Sequence, residues 1–258
     1  MIKVEKIMVG GWYPSIRGMR NPKNSWDKMD TDFSTQGQYG LDIKLGPNDL
    51  KLAKQLHAGG PVHSKYKRML VVWMDVTAPL YWWKEYDTYK VGTVSNSCST
   101  MHKIDSEEFT EASFANEYLD SESQAIQDMI IKKMNSLRDD YHELKSAGKN
   151  NEAKKVWYNM IQLNPDAYLQ KRTIMLDYEV ITNICMWRHC HKQDEWKCFI
   201  YKLINTLPYA HDIIIPYHHK EEILKSIEDT SNHYINEEIE NYMFLDFYVN
   251  KDSEDNEY

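Results

Sequence analysis

A short apolar run, MLVVWM at residues 69–74, is followed at once by Asp75-Val76-Thr77-Ala78-Pro79. Its length and β-branched content specify a buried strand. Pro79 has no amide proton to give to a ladder, so pairing must stop there. An amphipathic, aromatic-heavy segment occupies 80–89, and the stretch closes on VGTVSNSCSTMHK at 91–103. The chain is organised around this order, residues 63–102. The hydroxyl and amide groups of 91–103 suit two purposes that the residues alone leave open. They make ordinary turns, and they also hydrogen-bond phosphates, sugars and base edges.

Upstream, residues 2–9 alternate as a first strand should, and Gly10-Gly11 ends it. WYPSIRGMRNPKNSWDKMD at 12–30 holds Arg17, Arg20, Lys23 and Asn24 among turn residues. It reads either as a loop over a site or as a long solvated connection. Residues 39–45 read as a short strand. A helix follows, with Asn48 as its cap and Leu50, Leu52, Ala53 and Leu56 at helical spacing. Gly59-Gly60-Pro61 stops it.

Downstream, Ser106 and Ser113 read as helix starts. Residues 121–147 form one long helix, with Ala125, Ile126, Met129, Ile130, Met134, Leu137 and Leu144 recurring at three and four. A polar turn at 148–151 leads into a second helix at 152–163, carrying Ala153, Val156, Trp157 and Ile161. The two make a helical hairpin whose apolar stripe reads as packing. Residues 194–207 form a further helix ended by Pro208, residues 213–215 an apolar strand-like run, and 221–228 a charged helix. The expected fold class is α+β, a mostly antiparallel central sheet with flanking helices and a long helical hairpin. The expected organisation is one domain over 1–215, with the hairpin at 121–163 inserted or extended, then a C-terminal helix and acidic tail over 216–258.

Composition narrows the partners. A formal charge of −8 over 258 residues argues against broad binding to duplex nucleic acid, while leaving room for a local pocket for one nucleotide. The 18 Tyr and 8 Trp supply surfaces that fill cores and also stack on rings. Cys98, Cys185, Cys190 and Cys198 lack a CxxC pair, which reads as reduced thiols in a cytoplasmic protein. Cys190 and His191 beside His189 lack a second cluster with zinc-site spacing, so no metal is expected. No secretory leader, membrane-spanning run, phosphate loop, HExxH or G-x-S-x-G elbow is present in the sequence.

Two segments carry a family resemblance. His63 lies ahead of a strand and of Ala78-Pro79, Lys84-Glu85 follows, and Asn96-Ser97-Cys98-Ser99-Thr100-Met101-His102 closes the first. Pro165, Asn183, Arg188 five residues later, and HKQDEW at 191–196 mark the second, over 163–207. This frame resembles the flavin-dependent thymidylate synthases, which methylate dUMP using reduced FAD and methylenetetrahydrofolate. Lys84-Glu85 falls where that family has Arg-Gln, and Thr88-Tyr89-Lys90 where it has Arg-His-Arg. Asn96 and Ser99 match the family motif Asn-Glu-x-Ser-x-Arg-Tyr, whereas Ser97, Met101 and His102 depart from it. Lys65 stands in place of a Thr, and Asp177 and Glu179 stand where Asn and Arg would be.

The resemblance implies that His63, Lys90, Asn96 and Asn183 contact the flavin. It implies that Lys84, Glu85, Ser97, Ser99, Thr100 and Arg188 contact the nucleotide; no catalytic side chain is assigned. It further implies FAD as cofactor, methylenetetrahydrofolate and NADPH as co-substrates, a pyrimidine nucleotide as substrate, and a homotetramer with sites shared between subunits. The expected function is modification of dUMP or a related pyrimidine nucleotide. The alternative is a protein that keeps nucleotide binding and has no redox activity, since most family arginines are replaced.

Overall fold

The computed structural model describes residues 2–36 and 40–234. Its centre is a four-stranded sheet of β1 (Lys3–Gly10), β2 (Val71–Pro79), β3 (Thr93–Ser97) and β4 (Leu169–Asp177). The spatial order is β1-β2-β4-β3, with every neighbouring pair antiparallel. The α+β expectation holds. The run at 69–74 becomes the start of β2, in which Val72, Met74, Val76 and Ala78 are buried and alternate with more exposed residues. Pro79 ends the strand and becomes the N-cap of helix α4 (Leu80–Tyr86).

Strands β3 and β4 are the two that reading the residues in order misses, β3 lying within the run at 91–103 that reads as turns or binding groups. LQKRTIMLD buries only Gln170, Ile174 and Leu176, and its lysine and arginine hide the alternation. Those charges have tertiary partners. Lys171 reaches Asp75 on β2 at 3.2 Å, and the Arg172 guanidinium lies 4.2 Å from the centroid of the Trp83 ring while bonding Asp87 at 2.8 Å.

Residues 12–30 divide: 12–20 are neither a loop over a site nor a solvated connection, whereas 21–30 are mostly exposed, as a solvated connection would be. Together they form α1 (Trp12–Met19) and two short 3-10 turns, Asn21–Lys23 and Trp26–Lys28. Trp12, Ser15, Ile16 and Met19 fall on one buried face. The chain enters α1 through Gly11 at φ 90°, where an added Cβ would lie 1.9 Å from the Met69 carbonyl oxygen, so this close approach requires glycine.

Residues 41–45 are irregular, not a strand, and Tyr39 lies outside the described residues. Ile43 is buried there, and the Leu45 amide donates to the Tyr209 hydroxyl at 2.7 Å, a partner 164 positions away. Helix α2 (Phe33–Gln36) precedes this segment and α3 (Pro47–Ala58) follows it. Asn48 lies inside the first turn of α3 rather than capping it. Asp30 takes that role from outside the helix, accepting from the amides of Asn48 at 2.9 Å and Asp49 at 3.0 Å.

Helices α6 (Ser121–Ser146) and α7 (Asn150–Leu163) form the expected hairpin, with Asp120 capping the first. Met134, Leu137 and Met160 join Ile104, Phe109 and Phe114 in a second core, separate from the one on the sheet. Neither Ser106 nor Ser113 starts an α-helix. Ser106 lies in a turn after α5 (Thr100–Lys103), and Ser113 ends the 3-10 turn Glu111–Ser113.

The sheet packs against α8 (Tyr178–Arg188), α9 (Asp194–Thr206), α10 (Ala210–Ile213) and α11 (Lys220–Tyr234). Residues 213–215 are buried, but Ile213 closes α10 and no strand forms, since the main-chain amides of Ile213, Ile214 and Ile215 bond back to Tyr209 and Ala210. Ile223 and Ile227 of α11 enter the main core. The acidic tail lies outside the described residues. No helix among the described residues is long and apolar enough to cross a membrane.

Candidate functional site

The C-terminal end of α3, the 3-10 helix Lys65–Met69, the exposed face of α8 and the segment 216–219 enclose a cavity of about 240 Å³. Its floor is a buried lysine. Lys67 is 2% exposed, although the chain is polar on both sides of it. The Lys67 ammonium donates to Thr182 Oγ1 at 2.9 Å and to His57 Nδ1 at 3.3 Å. His57 Nε2 lies 2.8 Å from the Ile215 carbonyl oxygen and must be its donor. Nδ1 is thereby left as an acceptor, and the ring is the neutral Nε2–H tautomer.

Burial drives the Lys67 pKa down to about 8, against the pull of Glu179, Cys185 and Asp177. Burial, reinforced by the charges of Lys67 and Lys220, holds His57 below the usual imidazole range, with the Ile215 bond opposing.

Glu179 and Asn183 stand on the α8 wall of the cavity. Glu179 is gripped by Arg68, Nε to Oε2 at 2.9 Å and Nη2 to Oε1 at 3.0 Å, so the acid standing in place of an arginine brings its own cation. Asp177 caps α8, accepting from the amides of Glu179 and Val180; burial raises its pKa in spite of those bonds. His63 is exposed and sits beside the lining residues Gly60, Pro61 and Ser64.

Arg188 and Glu85 come together elsewhere, at the C-terminal end of α8. The guanidinium bonds Glu85 at 3.1 Å and the Tyr89 hydroxyl at 3.2 Å, with its carbon 5.0 Å from the Trp196 ring centroid. Lys84 pairs with Asp166. The aromatic run is mostly core: Trp82, Trp83 and Tyr86 are fully buried and pack edge-on or stacked with one another. Lys90 is exposed in the turn before β3.

Asn96 and Ser97 lie exposed on β3, opposite Thr173 and Arg172. Ser99 caps α5, accepting from the His102 amide at 3.3 Å. Thr100 Oγ1 accepts from Gln170 Nε2 at 3.3 Å, and the same nitrogen donates to the Cys98 carbonyl at 2.9 Å. Turn and strand chemistry therefore accounts for these bonds at 97–100. Among the described residues no group of three His, Cys, Asp or Glu side chains is arranged to hold a metal ion.

The resemblance singled out Asn183 as a flavin contact and Glu179 only as a departure from a motif; both lie on the cavity wall. Reading the sequence missed Lys67, His57 and Thr182. A lysine two positions before a predicted strand carried no distinguishing signal.

At the level of sequence no family model and no curated protein matches the chain. Solved structures do match in fold. The thymidylate synthase ThyX of Helicobacter pylori, solved with FAD and dUMP, superposes with a TM-score of 0.55 at 15% identity, covering 87% of this chain and 100% of that one. A second Helicobacter pylori ThyX complex with FAD and dUMP gives 0.53 at 13% identity, over 83% and 97% of the two chains. A UMP/dUMP methylase, PolB of Streptomyces cacaoi, bound with 5-Br dUMP, gives 0.52 at 10% identity, over 84% and 97%. The chain thus has a ThyX-like fold from end to end of those proteins.

Proposed function

We propose that the protein acts on a pyrimidine nucleotide, dUMP or a close relative, as a flavin-dependent methyl-transferring enzyme. The observation that carries this reading is the cavity on α8, which joins Asn183 to a buried ammonium within a fold shared with dUMP-binding proteins. Asn183 and Lys67 offer hydrogen-bond donors to a flavin, and the backbone around His63 forms one rim. At about 240 Å³ the cavity holds a ring and not a whole dinucleotide, since pockets for drug-sized ligands run from about 300 Å³ upward. The remainder of FAD would lie outside it, against the surface or a second copy, which suits the homotetramer implied by resemblance.

Bound FAD would supply hydride chemistry, with methylenetetrahydrofolate giving the one-carbon unit and NADPH the reducing equivalents. The protein's part is to orient the ring, exclude water and place Arg188 toward the nucleotide. The test is a visible absorbance spectrum of the purified protein, then conversion of dUMP with methylenetetrahydrofolate and NADPH. A flavin spectrum with methylated product supports the reading; failure to take up FAD and to convert dUMP defeats it.

A second reading has its own observation. The cations nearest the expected nucleotide site are already matched: Arg188 with Glu85, Lys84 with Asp166 and Arg172 with Asp87. A protein that binds a nucleotide without redox chemistry fits that pairing, and it predicts dUMP binding by a colourless protein.

A further inference from the structure

We propose that the α8 cavity recognises the imide edge of a planar ring, C=O, N–H, C=O in sequence, with Lys67 donating to a carbonyl and Glu179 accepting the N–H. This deepens the functional proposal and rests on it for the two ring sources considered, uracil and isoalloxazine.

The polar groups select the ligand class. The Lys67 ammonium has three protons, and among the described residues two go to neutral acceptors, Thr182 and His57. One remains for a ligand. His57 cannot take a further proton cheaply, because its Nε2–H is committed to Ile215 and burial disfavours the imidazolium. Glu179 is an acceptor only, and its two oxygens keep lone pairs beyond the Arg68 fork. Asn183 adds a carboxamide that both donates and accepts.

A phosphate has acceptors for Lys67 but no proton for Glu179, whose charge Arg68 already offsets. A neutral ring with a donor flanked by acceptors uses both signs. The remaining walls fit a ring as well: Met186, Pro61, Pro216 and Tyr217 offer flat or polarizable apolar surface. The volume, about 240 Å³, matches a ring without its phosphates.

The test titrates the full chain with riboflavin and with uridine, neither of which carries phosphate, and with their N3-methyl derivatives. Inorganic phosphate serves as competitor. The expected result is binding of one parent ring, at least tenfold weaker binding of its N3-methyl form, and no competition by phosphate. Which parent binds identifies the ring. Lys67→Met and Glu179→Gln, each checked for folding by circular dichroism, are expected to weaken the parent at least tenfold and to flatten the preference over the N3-methyl form.

Equal binding of parent and N3-methyl ligand, displacement by phosphate, or binding of neither ring overturns the proposal. The N3-methyl comparison uses wild-type protein, so it decides even if a variant fails to fold. Ring binding without dUMP conversion would sink the enzymatic reading and leave the cavity assignment standing. Conversion of dUMP with no N3-methyl effect would do the reverse.

Discussion

The Lys67 ammonium lies 3.3 Å from His57 Nδ1, and that imidazole is held neutral by its Nε2 bond to the Ile215 carbonyl at 2.8 Å. Two bases that would each be protonated in water at mildly acid pH thus share a single added proton. Burial makes a second positive charge there expensive, and the tautomer gives the first one an acceptor.

This pair sets a pH signature on stability. The folded-state pKa of Lys67 is depressed to about 8 from 10.5, so between those values the unfolded chain binds a proton that the native state does not. The Lys67 contribution to stability therefore rises with pH through that window. Denaturant unfolding is expected to show wild type gaining about 2 kcal/mol relative to Lys67→Met between roughly pH 7.5 and 9.5. The buried thiols of Cys185 and Cys198 oppose that rise in both proteins and cancel in the difference. His57, also depressed, acts on the acid side: stability falls as pH drops below its unfolded value of 6.5. Parallel pH profiles for wild type and Lys67→Met would contradict the burial argument.

Glu85 holds Arg188 in a half-exposed ion pair at 3.1 Å, between the Tyr89 and Trp196 rings. If Arg188 serves the nucleotide phosphate, Glu85 competes with it. Glu85→Gln is expected to tighten dUMP binding several-fold by calorimetry, with a steeper salt dependence than wild type. Weaker binding in that variant would mean that Glu85 itself faces the nucleotide.

A buried network secures the N-terminal helices. Asp49, fully buried, pairs with Arg20 at 2.6 Å and accepts from the Thr31 amide at 2.8 Å and the Thr31 hydroxyl at 2.6 Å. Asp49→Ala leaves Arg20 charged and unmatched in the interior, and equilibrium unfolding should show a loss of about 3–5 kcal/mol. A change within about 0.5 kcal/mol, ordinary for a surface site, would show that water replaces the carboxylate.

The thiols divide by burial. Cys98 and Cys190 are exposed, whereas burial pushes Cys185 up to about 12 and Cys198 up to about 11. A native-state titration with a chromogenic disulfide at neutral pH should therefore give two fast equivalents, with the other two appearing only on unfolding. Four fast equivalents would mean that α8 and α9 open readily around those residues.

Local pattern was enough to determine β1, β2, the α6–α7 hairpin and α9, because each carries its own periodicity and its own breaker. Pro79 is an example: the missing amide ends a strand wherever the chain puts it. The frame linking His63, Ala78-Pro79, Asn183 and Arg188 also pointed to a fold that solved structures only 10–15% identical to this chain share.

Tertiary structure decided what depended on distant partners. Strand β4 carries Lys171 and Arg172 because Asp75, Asp87 and the Trp83 ring receive them, and no window along the chain contains that information. Residues 41–45 and 213–215 have strand-like composition, but their amides are satisfied by Tyr209 and by a helical turn. The candidate site shows the same division. Its wall residue Asn183 was legible as part of a spacing, whereas Lys67, His57, Thr182 and the Ile215 carbonyl meet only because α3, α8 and the segment after α10 close over one another. A lysine announces its chemistry by losing its water, and burial is a property of the folded chain alone.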